Sequence, residues 1–144
     1  MTNNSVNSSS QDSIDQVIGG FFAAFDNRSG RVPNLQALSS FFVPNAVVAS
    51  HSGPAVQVCT VEEFARPRIE LLSSGRLLNF FEWETHSETQ VLGSLATRRS
   101  RYSKSGELEG RPYAGAGTKF FQLALHGGAW RIVALSWIDD ASQP

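Results

Sequence analysis

The chain has 144 residues, near the size of one ordinary domain, so a normal hydrophobic core is within reach and a second full-sized folding unit is not expected. Hydrophobic residues make up 41% and charged residues 17%, which excludes a wholly disordered or highly charged chain. With 12 Lys and Arg against 13 Asp and Glu the formal net charge is -1, which gives no electrostatic basis for binding nucleic acid.

Cys59 is the only cysteine, so no intrachain disulfide can form and a reducing, cytoplasmic setting is expected. It lies in the strand-like run Val56 to Thr60 and reads as a structural thiol rather than a nucleophile. The amino terminus lacks a positive region followed by an apolar one, and no later stretch approaches the roughly 20 apolar residues of a membrane span. Neither export nor membrane insertion is expected.

Residues 1–12 are rich in Asn and Ser and carry no apolar periodicity, so a disordered tail is expected there. A single domain over 13–140 and a short tail over 141–144 complete the expected organisation. From Ser13 the pattern turns helical. Ser13 and Gln16 have capping-box spacing, and Ile14, Val17, Ile18, Phe21, Phe22 and Phe25 form an apolar stripe. Gly19 and Gly20 interrupt it at roughly 1 kcal/mol each relative to Ala, which points to a close approach on this helix.

A Gly- and Pro-bearing turn leads to Asn34, placed to cap a short helix whose Leu35, Leu38, Phe41 and Phe42 share a face before Pro44 ends it. Apolar runs at 46–50 and 55–58 flank His51-Ser52-Gly53-Pro54 and predict a hairpin. Thr60 and Glu63 form another capping-box pair, opening a third helix with Phe64, Ile69, Leu71 and Leu72; Pro67 must kink or restart it, having no amide hydrogen. Beyond Gly75 the period becomes extended, with strands predicted over 78–92, 95–104, 111–125 and 130–138 and turns at Gly93, Gly106 and Gly127-Gly128. Short connections make these strands an antiparallel meander, and with the helices ahead of it the architecture is α+β. Gly115-Ala116-Gly117 lies inside a strand, so it is not a phosphate loop.

Gly117-Thr118-Lys119-Phe120-Phe121-Gln122-Leu123, a Gly-Gly turn, and Trp130-Arg131-Ile132-Val133-Ala134-Leu135-Ser136-Trp137 resemble the final hairpin of the nuclear transport factor 2-like superfamily, also called SnoaL-like or cystatin-like. Val91-Leu92-Gly93-Ser94-Leu95-Ala96 resembles its turn into the preceding strand, and the element order agrees from about Ser13 to Asp140. The resemblance implies three helices from the N-terminal half packed in a strongly curved, mainly antiparallel sheet, a cone with an internal pocket, and a homodimer formed through the sheet. It implies no single reaction, because the superfamily includes ketosteroid isomerases, polyketide cyclases, scytalone dehydratase, limonene epoxide hydrolase and non-catalytic binding domains.

Two catalytic sets of that superfamily do not map onto this chain. The isomerase pattern has a mid-sheet aspartate and a tyrosine on the first helix, whereas no aspartate lies between Asp26 and Asp139 and the tyrosines are Tyr102 and Tyr113. The epoxide hydrolase pattern needs an Asp-Arg-Asp set; Arg98 and Arg99 are present without paired aspartates. What remains is the strand Phe81 to Glu88, where alternation places Glu82, Glu84, His86 and Glu88 on one face. A Leu92-Gly93 turn would set Glu84 opposite Arg101, His86 opposite Arg99, and Trp83 opposite Tyr102 on the other face. If the acidic face lines the pocket, Glu84 is the base, His86 its proton partner and Arg99 the oxyanion donor. If it faces solvent, these are cross-strand ion pairs of little energy.

Gln122 and Lys119 take opposite faces of one strand, and alternation leaves open which enters the pocket. Gln122 joins Trp83, Arg99, Tyr102, Trp137 and Arg68 as a ligand contact, Arg68 because the Arg66-Pro67-Arg68 kink can aim a guanidinium at an acidic group. His51, His86 and His126 are isolated, so neither a metal nor another cofactor is expected. Arg98 and Lys104 are split by alternation from Arg99 and Arg101, so no single basic platform follows. Two readings result. One is a domain binding a small apolar or weakly acidic molecule, with isomerase, cyclase or dehydratase chemistry; the other is a non-catalytic ligand-binding or association domain that works through its sheet face.

Overall fold

The computed structural model describes residues 3–52 and 54–141, and its first element, α1 (Asn3–Ala23), starts well ahead of Ser13. The segment expected as a tail is therefore helical from Asn3; Met1 and Thr2, and residues 142–144 of the other expected tail, lie outside the described residues. Extending a helix costs far less than nucleating one, so the turns anchored by Ile14 and Val17 propagate back through Asn and Ser positions. Gln11 supports them by donating from Nε2 to Asp15 Oδ1 at 2.9 Å.

After a short 3₁₀ turn come α2 (Leu35–Ser39), β1 (Phe42–Ser52), β2 (Ala55–Thr60), α3 (Val61–Ser73), β3 (Leu77–Leu92), β4 (Leu95–Leu108), β5 (Arg111–His126) and β6 (Ala129–Asp139). The six strands form one sheet in the order β2-β1-β6-β5-β4-β3. Neighbours run antiparallel except β1 and β6, which are parallel. This is the expected mixed architecture, three helices in the N-terminal half packed with a curved and mainly antiparallel sheet, whose β1 and β2 precede α3.

Local signals hold where their chemistry is local. Asn34 Oδ1 accepts from the Ala37 amide at 2.7 Å and caps α2. The Thr60–Glu63 box closes from both sides, at 3.1 Å and 3.0 Å. α2 nevertheless ends at Ser39, because Phe42 leaves it to pair with Ile132 of β6. α3 runs through Pro67 as one helix. β4 continues past Gly106, and the turn falls at Glu109-Gly110, where φ values of 52° and 81° suit a two-residue hairpin of primed type.

The apolar stripe of α1 packs into the concave face of the sheet. Phe21 meets Phe22, Phe25, Phe42 and Phe121 edge to face, with ring centroids 5.3–6.0 Å apart. Asn27 ties the end of α1 to the rest: its amide donates to the carbonyls of Leu72 and Leu77 at 3.0 and 2.8 Å and accepts from the Phe80 amide at 2.7 Å. These bonds hold α3 against β3 and define one wall of the cavity described next.

Candidate functional site

Between α3 and the concave sheet lies a cavity of about 370 Å³. Phe25, Phe64, Leu71, Leu72, Phe80 and Tyr113 supply apolar wall, and Pro67 adds its ring from inside α3. The polar lining is Arg68, Glu82, Tyr102, Lys104, Lys119 and Asp139, with Trp137 between them. Three cations thus face two carboxylates in a largely aromatic chamber.

Lys119 is the most enclosed of the charged groups, with 7% of its side chain exposed. Its Nζ lies 3.0 Å from Glu82 Oε1, yet the approach is misaligned for hydrogen bonding, so Oε1 is buried with no aligned donor among the described residues. The ammonium also stands 4.0 Å from the Tyr102 ring centre and 5.2 Å from that of Trp137. Burial pushes the Lys119 ammonium below the ordinary lysine value, and the Glu82 carboxylate only partly offsets this.

The Tyr102 phenol donates to Asp139 Oδ1, and burial followed by that bond raises it well above its ordinary value. Lys104 Nζ is 3.6 Å from the same carboxylate. Arg68 donates to the Phe64 carbonyl at 2.9 Å and lies over the rings of Phe64 and Trp137 at 4.3 and 5.3 Å. It makes no salt bridge among the described residues, and burial lowers its guanidinium from the ordinary value. Arg68 is therefore the cation least committed to a protein carboxylate.

Two strand glycines create the room. Gly115 is opposite Lys104 and Gly117 opposite Tyr102. A Cβ at Gly115 would come within 2.8 Å of Lys104 Cε, and one at Gly117 would collide with the Tyr102 phenol and the Ile138 carbonyl.

Of the residues expected to be catalytic or to contact a ligand, Arg68, Tyr102 and Trp137 line the cavity and Glu84, His86, Trp83, Arg99 and Gln122 do not; of the pair left open, Lys119 enters it. The β3–β4 turn falls at Gly93-Ser94, and an irregularity between Glu84 and His86 leaves Glu84 opposite Tyr102 and His86 opposite Arg101. One extra residue at Thr85 reverses the facing, so the expected common face of Glu82, Glu84, His86 and Glu88 is broken. His86 points outward with 67% of its side chain exposed, near Glu88. Glu84 points inward but belongs to a separate cluster, where Arg98 Nε donates to it at 3.1 Å and Ser100 Oγ adds a further bond. Arg98 also bonds Asp15 of α1 and Thr89. Burial opposes the Arg98 charge, but Glu84 and Asp15 outweigh it and hold the guanidinium above its ordinary value.

Trp83 stands opposite Ser103 on the outer face, stacked on Phe81 at 4.6 Å beneath Arg28. Arg99 is on the outer face opposite Glu88, and Gln122 is exposed there while Lys119 takes the inner position. Cys59 is half-buried, and burial raises its thiol above the ordinary value. The signals that mark the cavity in the sequence are Gly115 and Gly117, spaced two apart on one strand face and followed by Lys119. Glu82 and Asp139 carry no such local mark.

Among the described residues no group of three or more His, Cys, Asp or Glu is placed to hold a metal, and no helix is long and apolar enough to cross a membrane. No family model matches the sequence, and no curated protein matches it. Solved structures do. A type 2 hexachlorocyclohexane dehydrochlorinase (LinA) superposes with a TM-score of 0.75 at 14% identity, over 96% of this chain and 90% of that one. A cystatin-like protein of unknown function from Nostoc punctiforme gives 0.67 at 13% identity, over 93% of each chain. An NTF-2 like protein of unknown function from Silicibacter pomeroyi gives 0.64 at 16% identity, over 93% of this chain and 98% of that one. At these identities the likeness is one of fold.

Proposed function

We propose that this chain, which has the cystatin-like fold of nuclear transport factor 2-like proteins, binds a small, largely apolar molecule with an acidic or carbonyl oxygen in the cavity beneath α3. The observation that carries this is the lining itself: aromatic walls around Arg68, Lys104 and Lys119, against only Glu82 and Asp139. A surplus cation in an apolar chamber favours a ligand that brings one negative charge. A volume of about 370 Å³, at about 30 Å³ per water-sized group, accommodates roughly a dozen non-hydrogen atoms. Arg68 would hold the acidic group, and Trp137 and Phe64 would cover the apolar body.

The same lining supports proton transfer, as an isomerase, cyclase or dehydratase requires. Glu82 is the base within reach of the cavity, and Lys119 is the donor for an oxygen that gains charge, the Tyr102 hydroxyl being already given to Asp139. These roles replace those expected for Glu84 and His86, which do not meet. The neighbour named as a hexachlorocyclohexane dehydrochlorinase acts, by that name, on a small molecule within this fold.

The test is a thermal-shift series with benzoate, naphthoate and uncharged aromatic ketones on the wild type, Arg68→Met and Glu84→Gln. A ligand at one hundred times its Kd adds about 2.7 kcal/mol, which raises Tm by roughly 5 to 15 °C at this size. We expect carboxylates to shift the wild type and Glu84→Gln alike and Arg68→Met far less. No shift with any compound, or an equal shift in Arg68→Met, would remove the reading.

A second proposal comes from the convex side of the sheet. Val47, Val56, Val58, Phe120 and Ile138 are exposed there, spread over β1, β2, β5 and β6, and two copies of the chain would cover them by pairing face to face.

A further inference from the structure

We propose that Lys119 is a nucleophilic amine that captures a small aldehyde or ketone carrying an anionic group as a protonated imine. This names the substrate class of the cavity and rests on its reading as a ligand site.

The chain has ten arginines and only two lysines, Lys104 and Lys119. Every cation outside the cavity is arginine, while both lysines line it. A site that needed charge alone could use either residue, but arginine cannot shed its proton and lysine can. Lys119 is also built to do so. It is enclosed by the Tyr102 and Trp137 rings, Lys104 repels its charge, and burial disfavours that charge further.

Glu82, at 3.0 Å, supplies the proton shuttle. It takes one proton from the ammonium, and the free amine adds to the carbonyl carbon, forming the C–N bond as the C=O double bond opens. The proton on Glu82 passes to the new alkoxide, and the nitrogen returns a proton to Glu82. That carboxyl then protonates the hydroxyl, the C–O bond breaks, and water leaves. Ammonium and carbonyl thus become protonated imine and water, with no oxidant or reductant required. Asp139 and Tyr102 stay paired beside the reacting carbon, and Arg68 receives the anionic group.

The experiment treats the full chain at neutral pH with para-carboxybenzaldehyde and cyanoborohydride, reads intact mass, and maps the modified peptide. With two lysines and one α-amino group, the map is unambiguous. We expect one addition per chain, equal to the probe less one oxygen atom, on Lys119. It should form on Lys119 in preference to Lys104, since burial among the Tyr102 and Trp137 rings leaves Lys119 more of its free amine. It should persist in Lys104→Arg, vanish in Lys119→Arg and lose its preference in urea. Should Lys119→Arg fail to fold, the wild-type ratio of Lys119 to Lys104 and its loss in urea decide the matter. No adduct, or equal labelling of the three amines in the folded chain, overturns the proposal. Benzoate, which cannot form an imine, separates the failures. If it still raises Tm, only the imine falls; if it does not, the ligand-site reading falls with it.

Discussion

Gly19 and Gly20 are neighbours in α1, yet a methyl group added to each meets different surroundings. At Gly19 it finds open space; at Gly20 it comes within 2.5 Å of the Phe41 ring. Gly19→Ala is therefore expected to stabilise the protein by about 1 kcal/mol through helix propensity alone. Gly20→Ala should instead lose about 1 to 3 kcal/mol as Phe41 is pushed from its packing. Urea unfolding of the two variants checks the opposite signs. The sequence marks both positions as costly within a helix, and only the approach of Phe41 tells them apart.

Strand β3 carries the clearest difference between pattern and outcome. A first irregularity falls between Leu78 and Phe81; alternation is readable from Phe80 to Glu84, and the irregularity at Thr85 then sends His86 outward. No composition rule announces such a bulge, so a face inferred across it is lost. Glu84 instead joins Arg98, Ser100 and Asp15, tying β3 and β4 to α1. Arg98 is 5% exposed, so replacing it strands the mostly buried Glu84 carboxylate and releases the half-exposed Asp15. Arg98→Met is expected to cost about 3 to 5 kcal/mol in urea unfolding, and the paired change with Glu84→Gln to cost less than the sum of the single changes. Additive losses would show that the cluster does not act as a unit. By contrast, the caps at Asn34 and Thr60 and the glycine turn at 127–128 depend on neighbours in sequence, and they form where the sequence places them.

For the whole molecule, the charges bound stability on both sides in pH. The Arg28 hydrogen bonds hold the Asp26 carboxyl below its ordinary value, and Arg101 does the same for Asp140. A depressed carboxylate adds stability above its unfolded value of about 4 and loses it as pH falls through the folded value. Tyr102 is raised, so its contribution is complete below about pH 10 and is lost at higher pH. Melting temperature should therefore fall below about pH 4 and above about pH 10. Asp26→Asn should flatten the acid limb and Tyr102→Phe the alkaline one; limbs unchanged by either substitution would contradict these assignments. The convex face makes a second prediction. Light scattering should show a dimer for the wild type and a monomer for Phe120→Glu, since a buried unpaired carboxylate on both copies opposes pairing. A monomeric wild type would remove that interface.

The α+β class, the order of elements, the strand meander and the caps of α2 and α3 are legible from the chain alone, whereas the capping-box spacing of Ser13 and Gln16 falls inside α1. Each legible feature rests on periodicity or on residues a few positions apart, which constrain one another before the chain folds. Alternation could also say that Lys119 and Gln122 face opposite ways, but not which way is inward. That choice required the curvature of the sheet. The meeting of Glu82 with Lys119 across β4, and of Tyr102 with Asp139, required the strand order and register as well. A carboxylate and an amine on strands that are not neighbours carry no mutual signal in sequence. Their proximity is a consequence of how the sheet wraps around α1 and α3, and the chemistry of the cavity follows from it.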